Sequence, residues 1–335
     1  MNKVSTVNQV KEHNIELVRN ALRRDPAEFT KHSIARETGL SIATVNNILN
    51  ALCEAGEIVA LGSASSTIGR PAVRYAYNKD YSHICCMFPS SAGSQQYLSY
   101  AVYDLLGTPL KQRQVWLEDI TYEDFENLSS SLLKEDPCLN RFSIGIPGYC
   151  NDRLIQSCTM TNLNGCDLAG RLSEQFPCEF LMENNMNAIA YGLYDSRKQQ
   201  GHAPAQLVVI SFFEGSGPGS GIILDGEIYR GKSNFAGEVV FLPYPDGNIY
   251  DLIRQGPKAI VTAAAQAVAA CTIILNPEIC VLTGENLSPG MCDAILAQCK
   301  EQIPALHLPA LSYVANYNQY YQNGLFRIAL ESSSI

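Results

Sequence analysis

Between residues 83 and 331 the chain runs twice through one order of segments. HICCMF, YLSYAVYDLLG and LKQRQVWL read as three strands, followed by helix EDFENLSSSLLKE, strand RFSIGIPG, helix CDLAGRLSEQF, strand EFLME and helix NAIAYGLYDSRKQ. LVVISFFEGSGPGSGIILDGEIYRG opens a second round, continued by helix PKAIVTAAAQAVAACTIIL, strand EICVLTG, helix GMCDAILAQCKEQ, strand SYVAN and helix YYQNGLFRIALESS. Strands alternating with helices place the chain in the α/β class. The doubled order predicts two α/β lobes, over residues 81–200 and 201–335, with a cleft between them of the kind that holds small molecules.

LMENNMNAIAYG, residues 181–192, gathers Glu183, Asn184, Asn185 and Asn187 where a strand passes into a helix. In an open α/β sheet the crevice beyond the carboxyl ends of the strands receives ligands, so these groups mark a candidate site. Asn is also a good helix cap. Both readings stand at this point.

Residues 1–80 follow another pattern. In VNQVKEHNIELVRNALRR, Val7, Val10, Ile15, Val18, Ala21 and Leu22 fall close to one helical face, and Asp25-Pro26 ends the run. In TKHSIARETGLSIATVNNILNALCEAGEI, Thr30 caps a helix reaching Glu37, Gly39 supplies a tight turn, and Ser41 caps the next helix. That helix is expected to bury Ile42, Val45, Ile48, Leu49 and Leu52 and to present Ala43, Asn46, Asn47 and Asn50. EIVALGSASSTIGRPAVRYAYN adds two β-rich runs around a Gly/Ser tip, so residues 1–80 read as a winged helix-turn-helix. Asn pairs bidentately with adenine in the major groove, which makes Asn46 and Asn47 the base-reading candidates. Ala43 lies on the same face, and Ser41 and Thr44 lie nearer phosphate. Arg70, in Gly69-Arg70-Pro71, is the candidate for a narrow minor groove.

Charge divides in the same place. Residues 1–80 carry ten Lys and Arg against eight Asp and Glu, net +2, whereas residues 81–335 are net −11. An acidic body does not attract nucleic acid in bulk, so DNA contacts are expected from the first 80 residues. The N-terminus lacks a signal-peptide apolar core, and no uninterrupted apolar run of about 18 residues is expected to span a membrane. The expected location is the cytoplasm. Twelve cysteines, spread from Cys53 to Cys299 without a CxxC pair, read as reduced thiols filling core space.

The order of a winged helix-turn-helix closed by GRP, then IGIPG, TNL, ENNMNAIAYG, GSGPGSGIILDGEIYRG, AGE and NPEICVLTG resembles the ROK family, which groups bacterial sugar kinases with sugar-responsive repressors. The likeness runs from about residue 8 to about residue 330. It implies actin-like, hexokinase-type lobes behind a DNA-binding domain. Phosphoryl transfer needs a base, phosphate loops and a metal near the phosphates. The resemblance places a catalytic Asp at position 185, where this chain has Asn185, an amide that takes no proton at neutral pH. The first phosphate loop, Asp-x-Gly-x-Thr, falls at residues 88–95, which here read FPSSAGSQ. The glycines Gly215, Gly217, Gly219 and Gly221 persist, but a tight turn between strands requires glycine in any case. The family's zinc segment, Gly-Glu-x-x-His, keeps Gly237 and Glu238 and has Phe241 in place of the His, with no Cys-rich run after it. No metal and no cofactor are expected.

By the same resemblance Asn162, Asn184, Asn185 and Glu238 match positions that contact sugar hydroxyls, with the Gly148 loop nearby. Amides and carboxylates can each satisfy two vicinal hydroxyls. The expected protein is therefore a non-enzymatic regulator, a repressor of carbohydrate genes. Its partners are an inverted-repeat operator, a sugar or sugar-phosphate effector and a second copy of itself, with pairing of dimers into tetramers left open. An active kinase with an altered mechanism and a ligand-free dimerisation or docking body remain the alternatives.

Overall fold

The computed structural model describes residues 2–24, 29–63, 72–244 and 248–332. Two compact units emerge, Met1–His83 with Tyr103–Leu110, and Ile84–Val102 with Lys111–Ile335. Sequence periodicity divides the chain into three parts, at residues 80 and 200, and the contacts group the last two together. The reason for the difference lies in two helices of the second unit.

The first unit holds helices α1 (Asn2–Arg24), α2 (Lys31–Thr38) and α3 (Ile42–Glu54) and a three-stranded sheet ordered β1 (Phe29–Thr30), β3 (Val73–Tyr77), β2 (Ile58–Ser63). Local chemistry sets its turns. Thr30 and Ser33 form a reciprocal capping box at the start of α2, Gly39 ends it at φ 71°, and the Ser41 hydroxyl accepts from the Thr44 N–H to start α3. Val45, Ile48, Leu49 and Leu52 are buried with Val18, Leu22 and Ile34. Ile42 departs from expectation. It is 48% exposed at the first residue of α3, where the helix has no preceding turn to complete a buried face.

A buried charge network, not anticipated from sequence, ties α1 to the sheet. Arg19 donates from Nε and Nη2 to the two carboxylate oxygens of Glu57, at 2.7 and 2.8 Å, and the Tyr77 hydroxyl donates to Glu57 at 2.6 Å. Arg23 in turn donates to the Tyr77 oxygen. Glu57 is 1% exposed, and burial of a carboxylate is tolerated only with such partners.

The second unit contains two five-stranded sheets. The first comprises β4 (His83–Ala92), β5 (Gln95–Tyr103), β6 (Pro109–Leu117), β7 (Leu139–Ile146) and β10 (Glu179–Asn184), ordered β10-β7-β4-β5-β6. The second comprises β11 (Gln206–Ser211), β12 (Gly219–Leu224), β13 (Glu227–Ile228), β14 (Ile279–Thr283) and β15 (Ala310–Val314), ordered β13-β12-β11-β14-β15. Numbered along the chain, each sheet has the order 3-2-1-4-5, so the doubled pattern of the sequence is a doubled topology. A small hairpin, β8 (Tyr149–Asn151) with β9 (Leu154–Gln156), follows β7. Helices α4 (Tyr122–Glu135) and α5 (Leu168–Gln175) belong to the first lobe. Helices α7 (Ile249–Arg254), α8 (Pro257–Leu275) and α9 (Cys292–Lys300) belong to the second.

The remaining helices change places. α6 (Asn185–Gln199), which closes the first round, packs on β11 and β12 of the second sheet, while α10 (Asn318–Glu331), which closes the second, packs on β7 of the first. Phe88 stacks on Tyr321 at 4.2 Å, and Arg141 donates to the Ala329 carbonyl at 2.6 Å. The two helices cross where Gly192 meets Gly324. A methyl group on Gly192 would lie 1.9 Å from the Tyr320 carbonyl oxygen, so neither position has room for a side chain. This exchange joins the two lobes into one unit, Ile84–Val102 with Lys111–Ile335.

α8 is, among the described residues, the one helix long and apolar enough to cross a membrane, whereas the sequence pattern predicts no such run. Half of it is buried in the second lobe, where Ile260, Ala264, Ala267 and Val268 form the core with Val208, Ile210 and Leu282. That burial fits the core helix of a lobe. All twelve cysteines are free. Burial pushes the thiols of Cys158 and Cys271 up to about 11, which keeps both protonated at neutral pH.

Candidate functional site

A cleft of about 520 Å³ lies between the two lobes of the second unit. Its floor comes from the carboxyl end of β7 (Pro147, Gly148), the junction of β10 with α6 (Asn184, Asn185, Met186), and Ser157 and Thr159 after β9. The opposite wall comes from the glycine-rich turn between β11 and β12, the turn Glu238–Phe241, and Asn248–Tyr250 at the start of α7. It is the crevice outside the strand ends where open α/β sheets receive ligands.

The polar burst at the β10–α6 junction divides its labour. β10 runs parallel to β7 with Asn184 opposite Ile146, which brings Asn184 beside the loop that follows β7. Its Oδ1 accepts from the N–H groups of Met186 and Asn187, at 2.8 and 3.1 Å, and its Nδ2 donates to the Gly148 carbonyl at 2.8 Å. Asn184 is thus the helix cap and also fixes the Gly148 loop. Glu183 is 8% exposed and paired: Arg230 donates to it from Nε at 3.0 Å and from Nη2 at 2.5 Å, and Asn187 Nδ2 donates at 2.9 Å. Asn185 alone lines the cleft with no hydrogen-bond partner among the described residues. The junction thus carries a helix cap at Asn184 and, beside it, a cleft-lining amide at Asn185.

Glu238 faces Asn185's cleft from the other lobe and has no cationic partner among the described residues. Burial raises its carboxyl above the usual range. Phe241, three residues on, is 63% exposed. The residues lining the cleft include no Cys or His, so the donor set does not fit a zinc ion. Asn162 is not among the lining residues; it sits exposed on the turn Thr161–Leu163, and Thr159 occupies the cleft from that segment. Ser157, at φ 51°, also lines it. These two, with Tyr250 and Met186, went unnoticed in the sequence because nothing local marks them.

β4 runs without a break to Ala92 and returns through a hairpin turn at Gly93 into β5, and this turn carries neither the Asp nor the Thr of Asp-x-Gly-x-Thr. In the glycine-rich turn, Gly221 serves packing: a methyl there would stand 2.0 Å from the Met186 carbonyl, where α6 crosses β12. Gly215 turns the chain at φ 73°.

In the first unit, the outer face of α3 exposes Ser41, Ile42, Ala43, Asn47 and Asn50. The two adjacent amides again differ. Lys31 donates to Asn46 Oδ1, whereas Asn47 is open. Ser41 and Thr44 share a hydrogen bond at 2.9 Å. Arg70 and the tip of the hairpin lie outside the described residues.

Two sheets of one strand order, exchanged closing helices and a cleft between them define a two-lobed α/β fold of the kind seen in sugar kinases. The structure is similar over 96% of both chains to a crystal structure of a ROK family transcriptional regulator, a homolog of the E. coli MLC protein, at TM-score 0.70 and 18% identity. Over 74% of this chain and 97% of the other it is similar to a ROK hexokinase from Thermus thermophilus, at TM-score 0.56 and 17% identity. The ROK family model matches residues 92–246, and this stretch is a ROK family domain. In sequence the chain is 26% identical over 235 residues to the xylose repressor of Bacillus subtilis strain 168, across 67% of this chain and 58% of the repressor. The match thus spans little more than half the length of that relative.

Proposed function

We propose that the protein is a transcription regulator, a repressor of carbohydrate genes, whose first unit reads an operator as a winged helix-turn-helix and whose cleft binds a sugar. Asn185 carries the reading. It is a free amide at the crevice, able to donate to and accept from a hydroxyl but unable to deprotonate one. Glu238, unpaired opposite, accepts from further hydroxyls. The lining offers one carboxylate and no Lys or Arg among the described residues, which favours an unphosphorylated sugar over a sugar phosphate. Similarity to the xylose repressor supports the same class.

On DNA, α3 enters the major groove with Ile42, Ala43, Asn47 and Asn50 outward; Asn46 is held back by Lys31. A two-fold dimer on an inverted repeat follows from symmetry. The effector changes operator affinity only as far as it prefers one arrangement of the lobes. The test is binding to the gene's own upstream region against random duplex at physiological salt, with and without pentoses and hexoses. Selective binding released by a sugar supports the proposal, and equal affinity for both duplexes defeats it. ATP consumption in the presence of those sugars, abolished by Asn185→Ala, would establish the kinase reading instead.

A further inference from the structure

The cleft has an apolar lip that sugar hydroxyls do not explain. Phe241 and Tyr250 line it beside Val240, and Phe241 and Tyr250 are 63% and 45% exposed. Behind Phe241 stands Phe235, 41% exposed, with ring centroids 5.3 Å apart, and Tyr149 meets Phe235 edge-on at 5.4 Å. The lip is held in place. Asn234 Nδ2 donates to the Cys150 carbonyl at 2.9 Å, which pins the Phe235 segment to the β8 strand, and Asn248 Oδ1 accepts from the Tyr250 N–H at 2.9 Å. Exposed aromatic surface bordering a few convergent polar groups is the signature of a small-molecule site.

Glu238 and Phe241 begin and end one turn, Val239–Phe241 with Glu238 as its cap. A carboxylate for hydroxyls and an aromatic face are therefore carried on a single rigid element. The cleft, at about 520 Å³, is of the size that holds drug-sized ligands and exceeds the needs of one pyranose.

We propose that the cleft takes a two-ring glycoside: a polyol ring bound by Asn185 and Glu238, and a second ring laid flat on Phe241 and Tyr250. A pyranose offers its C–H face and an aryl group its π face to the same aromatic surface, so a disaccharide and an aryl glycoside share the required chemistry. The inference rests on the sugar-binding reading above.

The experiment is calorimetric titration of the full chain with D-xylose and D-glucose, with their phenyl β-glycosides, and with xylobiose and cellobiose. At least one two-ring compound is expected to bind about tenfold or more tightly than its parent monosaccharide. Phe241→Ala should remove that gain, while Phe241→Trp retains it. The exposed position and the Trp variant together separate loss of stacking from loss of fold. Phenyl and disaccharide arms show which second ring the lip prefers. Monosaccharides binding as tightly as every two-ring compound, or a gain that survives Phe241→Ala, overturns this inference alone. Silence across the whole panel overturns the sugar-binding reading with it.

Discussion

Glu57 in the first unit and Glu238 in the cleft are both withdrawn from solvent, yet their surroundings are opposite. Glu57 meets a bidentate Arg19 and the Tyr77 hydroxyl, so both carboxylate oxygens are engaged inside the protein. Glu238 meets no cation among the described residues, and burial raises its pKa. A buried carboxylate with all its partners is scaffold; one kept without partners has capacity left for something that arrives. The adjacent amides repeat the contrast. Asn46 and Asn184 are engaged, while Asn47 and Asn185 are open.

The comparison breaks most visibly at Glu57. Glu57→Ala leaves the partly buried Arg19 with Glu16 alone as counter-charge and strips the Tyr77 hydroxyl of its acceptor, and should destabilise the first unit by about 3 kcal/mol. A thermal melt followed by circular dichroism measures it, and a loss below about 1 kcal/mol would show the network to be incidental. Next in size is the amide pair on α3. Asn47→Ala should cost about 1–3 kcal/mol of discrimination at one operator base pair, while Asn46→Ala leaves the base preference unchanged. Binding to a set of single-base operator variants distinguishes the two, and equal effects would cancel the assigned difference.

The pair at α6 should separate along a different axis. Asn184→Ala removes a cap and should lower stability by about 0.5–2 kcal/mol. Asn185→Ala should stay within about 0.5 kcal/mol of the parent in stability yet lose the response to effector. If Asn185→Ala melts as low as Asn184→Ala, its amide is structural after all.

The smallest effect concerns pH. Folding raises the Glu238 pKa, so the folded state holds that proton more tightly than the unfolded chain does. The resulting stability is fully present below the ordinary carboxylate value of about 4.3 and is lost as pH rises through the raised value. Glu238→Gln removes the titration. The variant should melt above the parent at neutral pH, with the gap closing in acid. A constant offset across pH would mean that Glu238 is not the group responsible.

Much of this architecture was legible residue by residue. Thr30, Gly39 and Ser41 act as caps and turn because capping depends on hydrogen bonds within three or four residues. The doubled strand–helix order gave the two sheets because strand and helix periods are local. The amide at Asn185 was readable as well, since an amide is no base wherever it sits. Ile42 was misjudged because periodicity assigns a face to a residue but not whether the end of a helix is covered. Asn162 was placed in the site by motif alone, and the cleft takes Thr159 from that segment instead.

By itself, then, the sequence determined the elements, their caps, the absence of a base at position 185 and the charge difference between the first 80 residues and the rest. Those properties reside in side-chain chemistry and short-range backbone geometry. The tertiary structure alone decided that α6 and α10 exchange lobes, that Arg19 reaches Glu57 across 38 positions, and that Asn184 is engaged while Asn185 is open. It also decided that Phe241 and Tyr250 share one lip with Glu238. Each of these depends on which distant segments pack together, and that is settled by the burial of the whole core rather than by any one stretch of it.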